Sequence, residues 1–202
     1  MQVEVINLGP MENCTYLVHQ DGQAVLIDPA WDMNFLEHTL QKKNLKLLAV
    51  LFTHGHFDHV KFAQTLLEKI GVKGYLEQND LLLSGIDPQF LHLYEGEQTF
   101  TFGPFQVHII PTPGHTAGGV CIQLENCLFT GDTLFPGACG RVDLPTSNPR
   151  QMRQSLLKLA QLPQDTQIFA GHSYNGKCSS TIGYEREHNP FMRNALRDQE
   201  LL

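Results

Sequence analysis

Leu47-Leu48-Ala49-Val50-Leu51-Phe52-Thr53-His54-Gly55-His56-Phe57-Asp58-His59 joins an unbroken apolar run to a cluster of metal-capable side chains, His54, His56, Asp58 and His59. The run over residues 47–53 has the length of a buried strand. Beyond the cluster, Phe62, Leu66, Leu67 and Ile70 recur at helical spacing, and Gly71 closes that helix. The cluster therefore lies between strand and helix. In a loop, the i, i+2 spacing can turn His54 and His56 toward one ion, while entry into the helix can point Asp58 and His59 toward a neighbouring one. Gly55 is expected to supply the backbone freedom this needs.

Upstream, apolar clusters at residues 3–8, 15–18 and 24–27, separated by Gly-Pro and Asp-Gly turn signals, predict an antiparallel meander. Asp32 is placed to cap a helix through Phe35, Leu36 and Leu40 that reaches about Asn44. Downstream, residues 99–102, 105–111, 120–124 and 127–130 predict a second series of strands. Asn148 followed by Pro149 starts a helix with a buried stripe of Met152, Leu156 and Leu159, which Pro163 ends. Residues 167–170 predict a last strand, and Thr181 and Asn189-Pro190 two short terminal helices. Two groups of strands, each followed by helices, suit an α+β class: a four-layer αββα sandwich, with residues 1–202 as a single domain.

His115, Asp132 and His172 each follow a predicted strand, as the first cluster does. Loops from the same ends of several strands gather at one crevice, so these seven side chains are expected to converge. Five histidines and two carboxylates without cysteine make a nitrogen and oxygen donor set suited to zinc, iron or manganese, and spare coordination positions imply catalysis. His19, His38, His92, His108 and His188 have no partner at ligand spacing and read as structural, with His38 and His92 expected in helices and His108 in a strand.

The 202-residue chain is 42% hydrophobic and carries a formal net charge of -7 with no run of Lys or Arg. Nothing in it marks a nucleic-acid or anionic-lipid surface, and a small-molecule substrate is the simpler expectation. No segment approaches the ~18 apolar residues of a membrane span, and the start lacks a basic region followed by an apolar stretch. Five cysteines without a C-x-x-C pair fit a reducing compartment. The expected location is cytoplasmic.

The pattern H-x-H-x-D-H at His54 to His59, with Thr112-Pro113-Gly114-His115-Thr116, Thr130-Gly131-Asp132 and His172, resembles the metallo-β-lactamase superfamily over nearly the whole chain. The resemblance implies His54, His56 and His115 on one metal, Asp58, His59 and His172 on a second, and Asp132 bridging them. Asp28 resembles the family's early aspartate, which supports the metal-binding loop. The exported β-lactamases and the longer RNA-processing relatives fit less well, the commonest β-lactamase class lacking a counterpart of His59. The tail over residues 180–191 and Gly140-Arg141-Val142-Asp143 resemble short bacterial type II glyoxalases, the hydroxyacylglutathione hydrolases. That resemblance implies hydrolysis of a glutathione thioester by metal-activated water at two divalent ions, zinc first and iron or manganese as alternatives. Asp58 would orient the water, Arg141 would grip the glycine carboxylate and Tyr174 would meet the glutathione backbone. Longer glyoxalases add a helical domain beyond the position of Asn189-Pro190, so a weaker or replaced glutathione grip is expected here. The rival is a persulfide dioxygenase, which resembles the chain in Cys139-Gly140-Arg141, His172-x-Tyr174 and the same Ser-Thr plus Asn-Pro tail, and implies a single iron on His54, His115 and Asp132. A non-catalytic binding protein on the same fold would be expected to lack ligands that are present here. Cys139, in the expected mouth of the site, reads as either a packed thiol or a redox-sensitive one.

Overall fold

In the computed structural model, which describes residues 1–197, two six-stranded sheets face one another. The first runs in chain order: β1 (Gln2–Leu8), β2 (Asn13–Gln20), β3 (Gln23–Ile27), β4 (Lys46–Leu51), β5 (Gly74–Glu77) and β6 (Leu91–Tyr94). The expected antiparallel meander comprises β1 to β3, and from β3 onward the pairing is parallel. The parallel crossovers carry helices α1 (Met33–Lys42), α2 (Phe57–Val60), α3 (Ala63–Ile70) and α4 (Leu81–Ser84). Asp32 caps α1 by accepting from the Phe35 N–H at 3.0 Å, and Gly71 ends α3 in the left-handed conformation.

The second sheet contains β7 (Gln98–Phe102), β8 (Phe105–Pro111), β9 (Val120–Leu124) and β10 (Cys127–Gly131). A small hairpin, β11 (Leu134–Phe135) with β12 (Ala138–Cys139), and helix α5 (Pro149–Leu159) precede β13 (Gln167–Ala170) and β14 (Ser179–Thr181). Helices α6 (Ile182–His188) and α7 (Pro190–Arg197) follow. The order across this sheet is β14-β13-β10-β9-β8-β7, with β13 parallel to β10 across α5 and the other pairs antiparallel.

Strand alternation sorts the apolar side chains into three layers of core. Tyr16, Val18, Val25, Ile27 and Leu51 of the first sheet pack between the sheets against Val107, Ile109, Ile122 and Phe129 of the second. Leu17, Leu26, Val50 and Phe52 point the other way, onto Leu36, Leu40, Leu66 and Leu67 of α1 and α3. Cys121, Leu128 and Ile168 meet Met152, Leu156 and Leu159 of α5 and Met192 of α7. The αββα layering follows directly, because each central sheet buries both faces. A fully buried side chain of this size contributes ~1.5–3 kcal/mol. No helix among the described residues is long and apolar enough to cross a membrane.

The structure departs from the sequence reading in several places: residues 167–170, expected as the last strand, are followed by β14, and the β11–β12 hairpin was not foreseen. Strands β5 and β6 were not expected, and His92, expected in a helix, lies in β6 opposite Tyr75, 4.8 Å from that ring and 5.6 Å from Phe100. Four-residue strands are too short for alternation to be told from helical spacing. Besides His92, three of the isolated histidines have partners away from the donor cluster: His19 meets Glu4 at 2.6 Å, His108 meets Thr99 and His188 bonds the Tyr184 carbonyl. His38 lies within α1.

Candidate metal centre

The seven side chains come together where β4, β8, β10 and β13 end. His54 and His56 sit in the loop after β4, while Asp58 and His59 occupy the single turn of α2, closed by the His59 N–H on the His56 carbonyl at 2.9 Å. His115 follows β8, Asp132 immediately follows β10 and His172 follows β13. Backbone bonds stitch the two sheets together here: Val120 N donates to Thr53 O at 2.8 Å, and Cys14 N donates to Gly171 O at 2.8 Å.

Two donor groups form. His54, His56 and His115 offer nitrogens within 4.8 Å of one another, and so do the ligand atoms of Asp58, His59 and His172. Asp132 stands between them: its Oδ2 is 3.4 Å from both His115 Nε2 and His172 Nε2, and its Oδ1 is 3.5 Å from His59 Nε2. Asp28 with His54 and His59 meets the same distance condition, but the Asp28 carboxylate is already engaged. It accepts from Thr53 N at 2.8 Å, Thr53 Oγ1 at 2.6 Å and His59 Nδ1 at 2.9 Å. Asp28 therefore orients His59, from a left-handed backbone position (φ 50°) that aspartate tolerates better than most residues.

The outer nitrogens of the imidazoles are held as well. His115 Nδ1 donates to the Arg141 carbonyl at 2.9 Å and His172 Nδ1 to the Met11 carbonyl at 2.8 Å. A carbonyl only accepts, so these bonds place a proton on each Nδ1 and leave Nε2 turned inward. His56 faces the cluster with Nδ1, 2.9 Å from His115 Nε2. Asn13 Nδ2 donates to Asp58 Oδ2 at 2.9 Å, and Trp31 Nε1 in turn holds Asn13 Oδ1 at 3.1 Å.

His54 Nε2 and Asp132 Oδ1 are buried with no hydrogen-bond partner. Leaving such groups unpaired is costly in a finished interior, and together with the nitrogen and oxygen donor set they fit a site built for cations. The electrostatics agree. Burial, then the neighbouring histidines, pushes His54 below the usual imidazole range, and burial does the same to His56. Burial alone would raise Asp58 and Asp132, but His172 and His59 outweigh it and hold both carboxyls low, so they are anionic at neutral pH. Against its burial, bonds to Asp132 and Asp58 raise His172 to about 10.

Arg141 and Tyr174 are placed differently. The Arg141 guanidinium is exposed and forms a bidentate pair with Asp143 at 2.9 and 3.0 Å, while its backbone carbonyl holds His115. Tyr174 is half exposed and stacks on His172, with ring centroids 5.1 Å apart. Burial pushes the Cys139 thiol up to about 11, so it is protonated at neutral pH. An apolar cavity of about 440 Å³, lined by Cys139, Arg141, Val142, Met152, Leu156 and Phe191, lies along the Gly140-Arg141 segment.

Gly55 does not take a left-handed conformation. Its lack of a side chain serves space instead: a Cβ there would lie 2.6 Å from the Asp80 carbonyl oxygen. Asp80, Asn13 and the Arg141 carbonyl escaped the sequence reading. A lone Asp before a helical turn reads as a cap, and a backbone acceptor has no sequence signature.

A sequence profile described as Metallo-beta-lactamase superfamily matches residues 9–172. The hydroxyacylglutathione hydrolase of Brucella ovis is 40% identical over 179 residues, spanning 85% of this chain and 67% of that protein. Among solved structures, the BLEG-1 B3 metallo-beta-lactamase superposes with a TM-score of 0.85 at 30% identity, covering 95% of this chain and 99% of the other. ETHE1 from Myxococcus xanthus superposes with a TM-score of 0.82 at 28% identity, covering 94% and 84%.

Proposed function

From the premise that the chain belongs to the metallo-β-lactamase superfamily, we propose that it is a metal-dependent hydrolase of S-(2-hydroxyacyl)glutathione, such as S-lactoylglutathione, yielding glutathione and a 2-hydroxy acid. The observation that carries this reading is the pair of donor groups flanking Asp132, with buried atoms on His54 and Asp132 that have no hydrogen-bond partner. In this reading His54, His56 and His115 hold one divalent ion, Asp58, His59 and His172 hold another, and Asp132 reaches both. Zinc is the first candidate, with iron or manganese as alternatives. When bound, two such ions supply a water nucleophile at neutral pH and an electrophile for the thioester carbonyl.

The protein's own groups do the positioning. Asp58, kept anionic and fixed by Asn13, accepts a hydrogen bond from the attacking water and aims it. Arg141 exchanges its exposed pair with Asp143 for the glycine carboxylate of glutathione, which a guanidinium can grip through two parallel bonds. Tyr174, stacked on His172, presents an exposed edge to the glutathione backbone. The thiolate departs without a protein nucleophile. The remainder of the proposal is that residues 1–202 form one catalytic domain acting in the cytoplasm on a small molecule.

The second reading is a glutathione persulfide dioxygenase with a single iron on His54, His115 and Asp132. These side chains also converge, and ETHE1 is among the similar structures. Metal analysis with parallel assays on zinc- and iron-loaded protein tests both: S-lactoylglutathione hydrolysis, and oxygen uptake on glutathione persulfide. Hydrolysis near two ions per chain supports the first reading, and oxygen uptake at one iron overturns it in favour of the second. Hydrolysis of a chromogenic cephalosporin alone would replace both with a β-lactamase. Silence in all three assays would point to another substrate or a binding protein.

A further inference from the structure

Asp80 lies at the end of a 3-10 turn before α4, fully buried, and belongs to neither donor group. Its Oδ2 accepts from the Gly55 N–H at 2.8 Å and from Thr116 Oγ1 at 2.7 Å, and its Oδ1 accepts from the Gly118 N–H at 2.7 Å. Gly55 separates His54 from His56, and Thr116 follows His115. One carboxylate thus ties together the two loops that carry the three histidines of the first donor group. The fit is close. A Cβ on Gly55 would stand 2.6 Å from the Asp80 carbonyl oxygen, and one on Gly118 would stand 2.8 Å from Asp80 Cγ, so both loops are bare where they meet this residue. All three contacts are donors to Asp80, and a buried carboxylate is retained in such a place only when its acceptor capacity is met.

We infer that Asp80 is a positioning residue for the metal position formed by His54, His56 and His115, acting through the backbone of the loops rather than on the imidazoles. The inference rests on the two-position metal reading above, and it makes the two positions unequal in their dependence on Asp80. Asp58, His59 and His172 receive their support from Asn13, Asp28 and the Met11 carbonyl instead. An asparagine at 80 keeps the shape but turns an amide N–H against one of three converging donors, so the grip on one loop is lost.

The test is metal titration of the full chain, stripped of metal, with zinc in competition with a chromophoric chelator. Wild type, Asp80→Asn and, as a reference, His56→Ala are compared, and the folding of each metal-free protein is checked by circular dichroism. Losing an outer partner of a metal ligand typically weakens binding on the order of 10- to 100-fold. Asp80→Asn should show that loss in the same binding step that His56→Ala lacks, with the other step within about twofold of wild type. Thr116→Val, which removes one of the three bonds, should show a smaller loss in the same step and replaces Asp80→Asn if that variant does not fold. Two unchanged steps in a folded variant, or equal losses in both, would overturn the positioning role. Wild type that binds no zinc would overturn the metal reading, and the inference with it, whereas two wild-type ions with an indifferent Asp80→Asn would remove the inference alone.

Discussion

A single methyl group on Gly171 should disable the centre while leaving the fold standing. Gly171 links the sheets, donating to the Gly131 carbonyl at 2.8 Å and accepting from Cys14 N at 2.8 Å, and its own backbone is not left-handed. Alanine therefore carries no conformational penalty there. Its Cβ, however, would stand 2.3 Å from Asp132 Oδ1 and 2.8 Å from His59 Cε1, where carbon and oxygen need more than 3.0 Å. The carboxylate that reaches both donor groups has to recede by about 0.7 Å or rotate away, a displacement close to the ~1 Å that costs about 100-fold in turnover. Crowding of this kind costs about 1–3 kcal/mol, or roughly 2–12 °C of melting temperature at this chain length. The assay pairs S-lactoylglutathione turnover with metal analysis and a thermal melt of Gly171→Ala. Turnover within a few-fold of wild type and unchanged metal content would refute the geometry, including the place given to Asp132. A collapse of the melt without loss of metal would refute the claim that the crowding is local to the site.

Asp28→Asn should turn an amide N–H against either the Thr53 N–H or His59 Nδ1 and cost about 1–3 kcal/mol in the melt, together with weaker binding at the Asp58, His59 and His172 position. Equal stability in thermal unfolding would count against its orienting role. Arg141→Ala should raise KM for S-lactoylglutathione by about tenfold with little change in kcat, because the proposed contact would be equal in ground and transition states. An unchanged KM in steady-state kinetics would remove Arg141 from the substrate site. Asn148→Ala deletes the cap that accepts from Arg150 N and Gln151 N, and should lower the melting temperature by about 2–4 °C without touching activity. For the metal-free protein, protonated His172 adds stability that is complete below its unfolded pKa of about 6.5 and is lost as pH rises toward about 10. His59, also raised, acts with the same sign, so the melting temperature after chelation should fall across that window in a pH series; a flat profile would argue against the His172 contacts with Asp58 and Asp132.

What the sequence makes legible is whatever repeats or clusters. The alternation of Tyr16, Leu17 and Val18, the spacing of Met152, Leu156 and Leu159, and the density of His54 to His59 each announce an element or a site over a few residues. Their convergence with His115, Asp132 and His172 was inferable because each follows a strand. What stays hidden is carried by groups with no local pattern. Four-residue β5 and β6 offer too few positions to show a period, and Asp80 and Asn13 look like ordinary turn residues until distant loops fold onto them. Arg141 drew notice for its guanidinium, but it is its carbonyl that holds His115. The tail over residues 180–191 resolves into packing: Glu185 and Asn189, both fully buried, hold the Gly137 N–H and the Phe135 and Ala138 carbonyls of the β11–β12 hairpin.

The contact between His172 and the Met11 carbonyl closes a sequence separation of 161 residues. A ribosome extending the chain at about 5–20 residues per second takes roughly 8–32 s to cover that interval. The inward face of the first sheet, with Val18, Val25, Ile27 and Leu51, gains Val107, Ile109, Ile122 and Phe129 partway through it, but not yet β13. Strand β2 accordingly spends its early life with open backbone at Asn13 and Cys14, which Gly171 and His172 will cover. His54, His56, Asp58 and His59 are made well before His115, Asp132 and His172, so the two donor groups are complete only once His172 has joined them.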